Sequence, residues 1–130
     1  MKFVYLMLAL LNFTDEIQAQ RIKDNRGSTI GFIENGRVKS SSGSTVGYIE
    51  NGRVKNSSGS TIGYYESERV KNASGSTIGY IESDRVKDNT GRTIGYVEDG
   101  RVKNASGSTI GYFEGVRRIE TALYFFFFFY

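Results

Sequence analysis

The 130-residue chain carries 17 basic and 14 acidic side chains, a formal charge of +3, and has no Cys, His, Pro or Trp. Without Cys or His it can form no disulfide, thiol nucleophile, haem ligand, His-based triad or ordinary zinc site. So mild and mixed a charge does not call for nucleic acid as a partner.

Met1 and Lys2 precede an apolar run over residues 3–11. The run is too short to span a bilayer, which takes about 20 apolar residues. It suits the apolar region of a secretory signal peptide, with Ala19 offering a small residue for cleavage before Gln20. The reading is therefore a signal peptide over 1–19 and export to the periplasm or the extracellular space. No Cys follows the run, which excludes a lipid anchor on cysteine.

Residues 21–116 hold six uninterrupted units of sixteen residues, opening at Arg21, Arg37, Arg53, Arg69, Arg85 and Arg101. The fourth reads RVKNASGSTIGYIESD and the sixth RVKNASGSTIGYFEGV; a further unit opens at Arg117 and breaks off. A fixed period of this kind means one supersecondary unit per repeat, each buried by its neighbours. Within a unit, residues 28–34 are rich in β-branched and aromatic side chains, as strands are. Asn35-Gly36 then suits a two-residue hairpin turn, because both positions of that turn need positive φ. Residues 37–39 form the returning strand. Asn72-Ala73-Ser74-Gly75 and its equivalents read as a longer turn, opened by Asn, Asp or Ser and ended by Gly. Asn56, Asn72 and Asn104 match the glycosylation sequon, but they also open these turns.

A two-residue turn sets Glu34 opposite Arg37 and Ile33 opposite Val38, and the pattern recurs in every unit. Facing opposite charges explain the Glu and Arg columns without a binding site. Strict alternation puts Ile30 and Phe32 on one face, with Thr29, Gly31 and Ile33 on the other. The strand glycines (Gly31, Gly47, Gly63, Gly79, Gly95 and Gly111) each cost stability. Their repetition implies either a sharp bend or the close approach of a backbone or ring. The bend, curving each unit toward a common centre, is the favoured expectation.

The chain ends in Tyr124 followed by Phe125 to Phe129 and Tyr130. Seven consecutive aromatics cannot stand in water without aggregating. Three placements are open: filling the middle of a ring of repeats, adding a last strand, or entering a membrane. The repeats lack the strands of roughly ten residues that a membrane barrel needs.

Units such as RVKDNTGRTIGYVEDG, an exported N-terminus ending Ala19-Gln20 and the Ala-Leu-Tyr-Phe-rich end resemble the small secreted bacterial five-fold beta-flower proteins. The resemblance spans essentially the whole mature chain. It implies short hairpins arranged as petals around an axis, and it brings no catalytic residue with it. One departure is plain: this chain has six Thr-[Ile/Val]-Gly units, not five. Either one more petal is present, or the first and last half-units combine or fall outside the ring.

The expected fold is all-β, with tandem hairpin repeats in a closed, pseudo-symmetric array; an open β-solenoid with one coil per unit is the alternative. The repeat domain covers 20–116, and the aromatic tail over 117–130 packs on or in it. Catalysis needs an asymmetric constellation, and near-identical units supply none, so no enzyme, cofactor or metal is expected. Asp24 and Asp88 are the only acidic turn openers, which argues against a calcium-binding β-roll. The candidate binding residues are Tyr48, Tyr64, Tyr80, Tyr96 and Tyr112. Exposed, they would stack on a glycan or cell-surface polymer; buried, they would form a packed ladder between petals. A homo-oligomer held by the Phe tail is the third possibility.

Overall fold

The computed structural model describes residues 20–130. The signal-peptide reading of 1–19 lies outside the described residues. Twelve antiparallel strands close into one barrel, each paired with its neighbours in sequence and the first paired with the last. The open solenoid is thereby set aside. The strands alternate between four and six residues. They are β1 (Arg21–Asp24), β2 (Thr29–Glu34), β3 (Arg37–Ser40), β4 (Thr45–Glu50), β5 (Arg53–Asn56), β6 (Thr61–Glu66), β7 (Arg69–Asn72), β8 (Thr77–Glu82), β9 (Arg85–Asp88), β10 (Thr93–Glu98), β11 (Arg101–Asn104) and β12 (Thr109–Glu114).

The expected hairpin register holds. Glu34 faces Arg37, Ile33 faces Val38 and Phe32 faces Lys39 across β2 and β3. Five hairpins close through two-residue turns; the sixth is built from the two ends of the repeat region, with Glu114 of β12 facing Arg21 of β1. The first and last half-units therefore combine into a sixth petal. At the opposite rim the longer turns follow the expected pattern. The Asn56 side chain accepts hydrogen bonds from the Ser58 and Ser60 backbone N–H groups, and Gly59 takes φ 91°.

Strict alternation fails at one point in each unit. Val38 faces Gly47, yet the next residue, Lys39, faces Thr45, so the intervening Val46 sits in a β-bulge. A bulge re-aims the side chains beyond it. Thr29 consequently shares the outer face with Lys23, and Ile30 packs against the core instead of lying outside with Phe32. The inner face carries Gly31, Ile33 and Val38 and their equivalents. Ile22, Val38, Val54, Val70, Val86 and Val102 are completely buried.

Eight strands make a barrel that its own side chains can fill, and a larger one leaves a bore. Here the tail fills it. After Glu114 the chain turns at Gly115, with φ 69°. Helix α1 (Arg118–Leu123) follows and continues into a single π-helical turn (Tyr124–Phe128) closed by the Phe129 N–H on the Tyr124 carbonyl at 3.1 Å. Thr121, Ala122 and Leu123 are fully buried inside the barrel. Of the three placements, the middle of the ring is the one observed. The backbone is helical because a closed barrel offers no strand edge to an inserted chain, whose N–H and C=O groups must then pair among themselves.

Six consecutive rings radiate from this turn onto the six strand glycines. Phe125 lies over Gly111, Phe126 over Gly95, Phe127 over Gly79, Phe128 over Gly63 and Phe129 over Gly47, and the Tyr124 hydroxyl lies over Gly31. Each step along the tail moves one petal around the barrel, against the order of the repeats. A Cβ on Gly79 would stand 2.5 Å from the Phe127 ring and 2.5 Å from the Lys87 carbonyl oxygen. These glycines have ordinary negative φ, so they are required for space. The favoured bend is thus replaced by the other expectation, close approach of a ring and a backbone carbonyl.

The third petal breaks the turn pattern. Ser67 and Glu68 occupy φ 50° and 70° where the first two petals have Asn-Gly and the fifth Asp-Gly. A non-glycine residue in that region costs about 1–2 kcal/mol. Glu68→Gly should therefore raise the melting temperature by several degrees in a thermal unfolding scan.

Candidate functional site

The outer face follows from the register. Each long strand presents its tyrosine directly between two cations. Tyr48 faces Arg37 on one side and Lys55 on the other, and Tyr64 faces Arg53 and Lys71. Tyr80, Tyr96 and Tyr112 repeat this with Arg69 and Lys87, Arg85 and Lys103, and Arg101 and Lys23. Phe32 holds the sixth position, between Arg21 and Lys39.

All five candidate tyrosines are partly exposed. They do not converge on a pocket, and they do not form a ladder either: among the described residues, ring–ring contacts occur within the tail. Cationic strands separate them, and they form a belt with one ring per petal. Their role in binding rests on this placement alone.

The electrostatics differ from the expected pairing. Each Glu bonds the Lys diagonal to it, not the Arg opposite. The N–O distances are 2.9 Å for Lys23–Glu114, 3.3 Å for Lys39–Glu34, 3.8 Å for Lys55–Glu50, 2.9 Å for Lys71–Glu66, 2.8 Å for Lys87–Glu82 and 3.4 Å for Lys103–Glu98. The right-handed twist of a two-stranded ribbon favours this diagonal, and the lysine stem is long enough to use it. The hydrogen bond from Lys71 holds the Glu66 carboxyl below the usual carboxylate range. The six arginines of the belt are exposed, and none joins an ion pair among the described residues. A guanidinium beside an aromatic ring offers five donors next to a stacking surface.

Elsewhere, the Thr90 hydroxyl bonded to Asp88 lowers that carboxyl's pKa. Burial pushes the Tyr124 phenol up. Glu120, inside the barrel mouth, accepts a 2.9 Å bond from Arg117, and this pair raises the Arg117 pKa. Among the described residues no buried side-chain polar atom lacks a partner.

Sequence reasoning missed the sockets that hold the tail. Their signal was available as a match in number, six glycines in the strands and six adjacent aromatics from Tyr124 to Phe129. No curated protein and no solved structure gives a significant match to the chain. The family model described as 5-fold beta-flower protein matches residues 19–130, which include all twelve strands and the tail. With its petals of paired strands set around a filled axis, the chain belongs to the 5-fold beta-flower protein family.

Proposed function

We propose that the protein is an exported, non-catalytic barrel that works by binding through its outer surface. The reading rests on the belt: each tyrosine lies between a lysine and an arginine whose guanidinium forms no ion pair among the described residues. Catalysis would draw on one asymmetric cluster, whereas the chemistry of this surface recurs petal by petal. The tail, which is unique in the chain, is occupied with filling the bore, and this favours surface binding over self-assembly through its rings.

The ligand class that suits the belt is a glycan or cell-wall polymer bearing acidic groups. Sugar faces stack on tyrosine, and guanidinium groups bind carboxylates or phosphates in a fork. Equivalent rings recur every second strand, about 10 Å apart at ordinary strand spacing, which suits a repeating polymer.

A triple variant, Tyr64→Ala with Tyr80→Ala and Tyr96→Ala, should lose at least tenfold in retention on an immobilised acidic polysaccharide. Its melting temperature should stay within a few degrees of the parent. Unchanged retention in a folded triple variant would contradict the reading.

A further inference from the structure

The rim that carries the two-residue turns is not symmetric. Helix α1 lies against β10, to one side of the axis. Away from that contact it leaves a cleft of about 650 Å³ between the helix and the turns of the second, third and fourth petals. Pockets of about 300–1,000 Å³ with mostly apolar walls and a few polar groups are typical of small-molecule sites.

The floor of this cleft is aliphatic, formed by Ile49, Val54, Ile81 and Leu123. Its rim is polar, with Tyr65, Glu68, Ser83 and Arg118. Two departures from the repeat lie here. Tyr65 stands where four other petals place Ile or Val, and Glu68 stands where the neighbouring turn has Gly52. Glu68 retains positive φ at this position. Neither the Glu68 carboxylate nor the Arg118 guanidinium enters an ion pair among the described residues. Arg117 and Glu120, by contrast, neutralise each other. Burial, and then the nearby Glu68, push the Tyr65 phenol up, so at neutral pH it stays protonated and can donate.

We propose that this cleft is a second binding site, separate from the outer belt, for a small amphipathic organic anion. An aromatic or branched aliphatic body would lie on the aliphatic floor. Its single anionic group would meet the Arg118 guanidinium and the Tyr65 hydroxyl. A hydrogen-bond donor on the ligand would find the Glu68 carboxylate. Two anionic groups would be disfavoured, because Glu68 opposes the second.

Two fluorescent probes of nearly the same shape test this assignment. 1-Anilinonaphthalene-8-sulfonate has an apolar body, one anionic group and an N–H donor; N-phenyl-1-naphthylamine lacks the sulfonate. The sulfonate probe should bind saturably at one site per chain. Arg118→Ala should weaken it about tenfold, the scale of one charge-assisted bond, and leave the uncharged probe unchanged. Ile119 also lines the cleft and is 38% exposed, so Ile119→Trp should block both probes without unfolding the barrel. Melting curves identify any variant that fails to fold, and for such a variant Ile119→Phe is the substitute. Non-saturating binding, or binding of equal strength in the folded blocked variant, would overturn the proposal. So would equal weakening of both probes by Arg118→Ala.

Discussion

A chain ending at Leu123 should show no cooperative unfolding transition and should precipitate or bind hydrophobic dyes non-specifically. The truncation removes Tyr124 and Phe125, which are buried, and the half-buried Phe126 to Phe129. Complete burial of one such ring is worth about 1.5–3 kcal/mol, and half of that remains substantial when six rings go together. A domain of this size has roughly 5–15 kcal/mol in total. The barrel cannot collapse to compensate, because its circumference is set by strand number and register. Circular dichroism during thermal unfolding checks this. A truncated protein that melts cooperatively near the parent temperature would mean that the rings are not core.

The second large effect is expected at glycines that look replaceable. Gly79→Ala, a change that normally favours a strand, should destabilise by about 1–3 kcal/mol, the usual cost of overpacking. The new methyl would meet both the Phe127 ring and the Lys87 carbonyl. The ring can shift, but the carbonyl belongs to the ladder. Gly75→Ala is the contrast. That glycine has φ 92° with nothing within 4 Å of its Cβ position, so its cost is purely conformational. Urea denaturation of the two variants separates crowding from backbone strain. The Gly79 variant should regain stability when space is made across from it, and the Gly75 variant should not.

Much of the barrel was legible in the chain. The sixteen-residue period, the Asn-Gly pairs and the Asn-to-Gly turns set the hairpins, their register across the two-residue turns and both rims, while the number of petals closing the ring stayed open until Glu114 of β12 was found facing Arg21 of β1. Three further features were not legible, each for a physical reason. The bulge at Val46 leaves no mark in composition, since it changes which residue faces which without changing residue type. Glu34 pairs with Lys39 and not with Arg37, because strand twist, which alternation ignores, brings the diagonal closer. The tail gave no helical signal: a six-residue α1 is too short for a visible period, and a run of Phe favours strands. It becomes helical only because the closed barrel denies it an edge. The belt tyrosines were identifiable as a column, while their position between an unpaired arginine and a lysine needed the register of both neighbouring strands. The cleft under α1 depends on where that helix lies and could not have been read from the repeats.

The pairing of tail rings with strand glycines is tested most directly by a double-mutant cycle. Gly79→Ala and Phe127→Ala are measured singly and together, with Gly79→Ala plus Phe129→Ala as the mismatched pair, since Phe129 lies over Gly47. Residues in contact show coupling of about 0.5–3 kcal/mol, whereas separated sites add to within about 0.5 kcal/mol. The matched double variant should therefore be more stable than the sum of its parts by about 1 kcal/mol or more, and the mismatched one should be additive. Additivity in both pairs, or equal coupling in both, would contradict a tail in which each ring has its own petal.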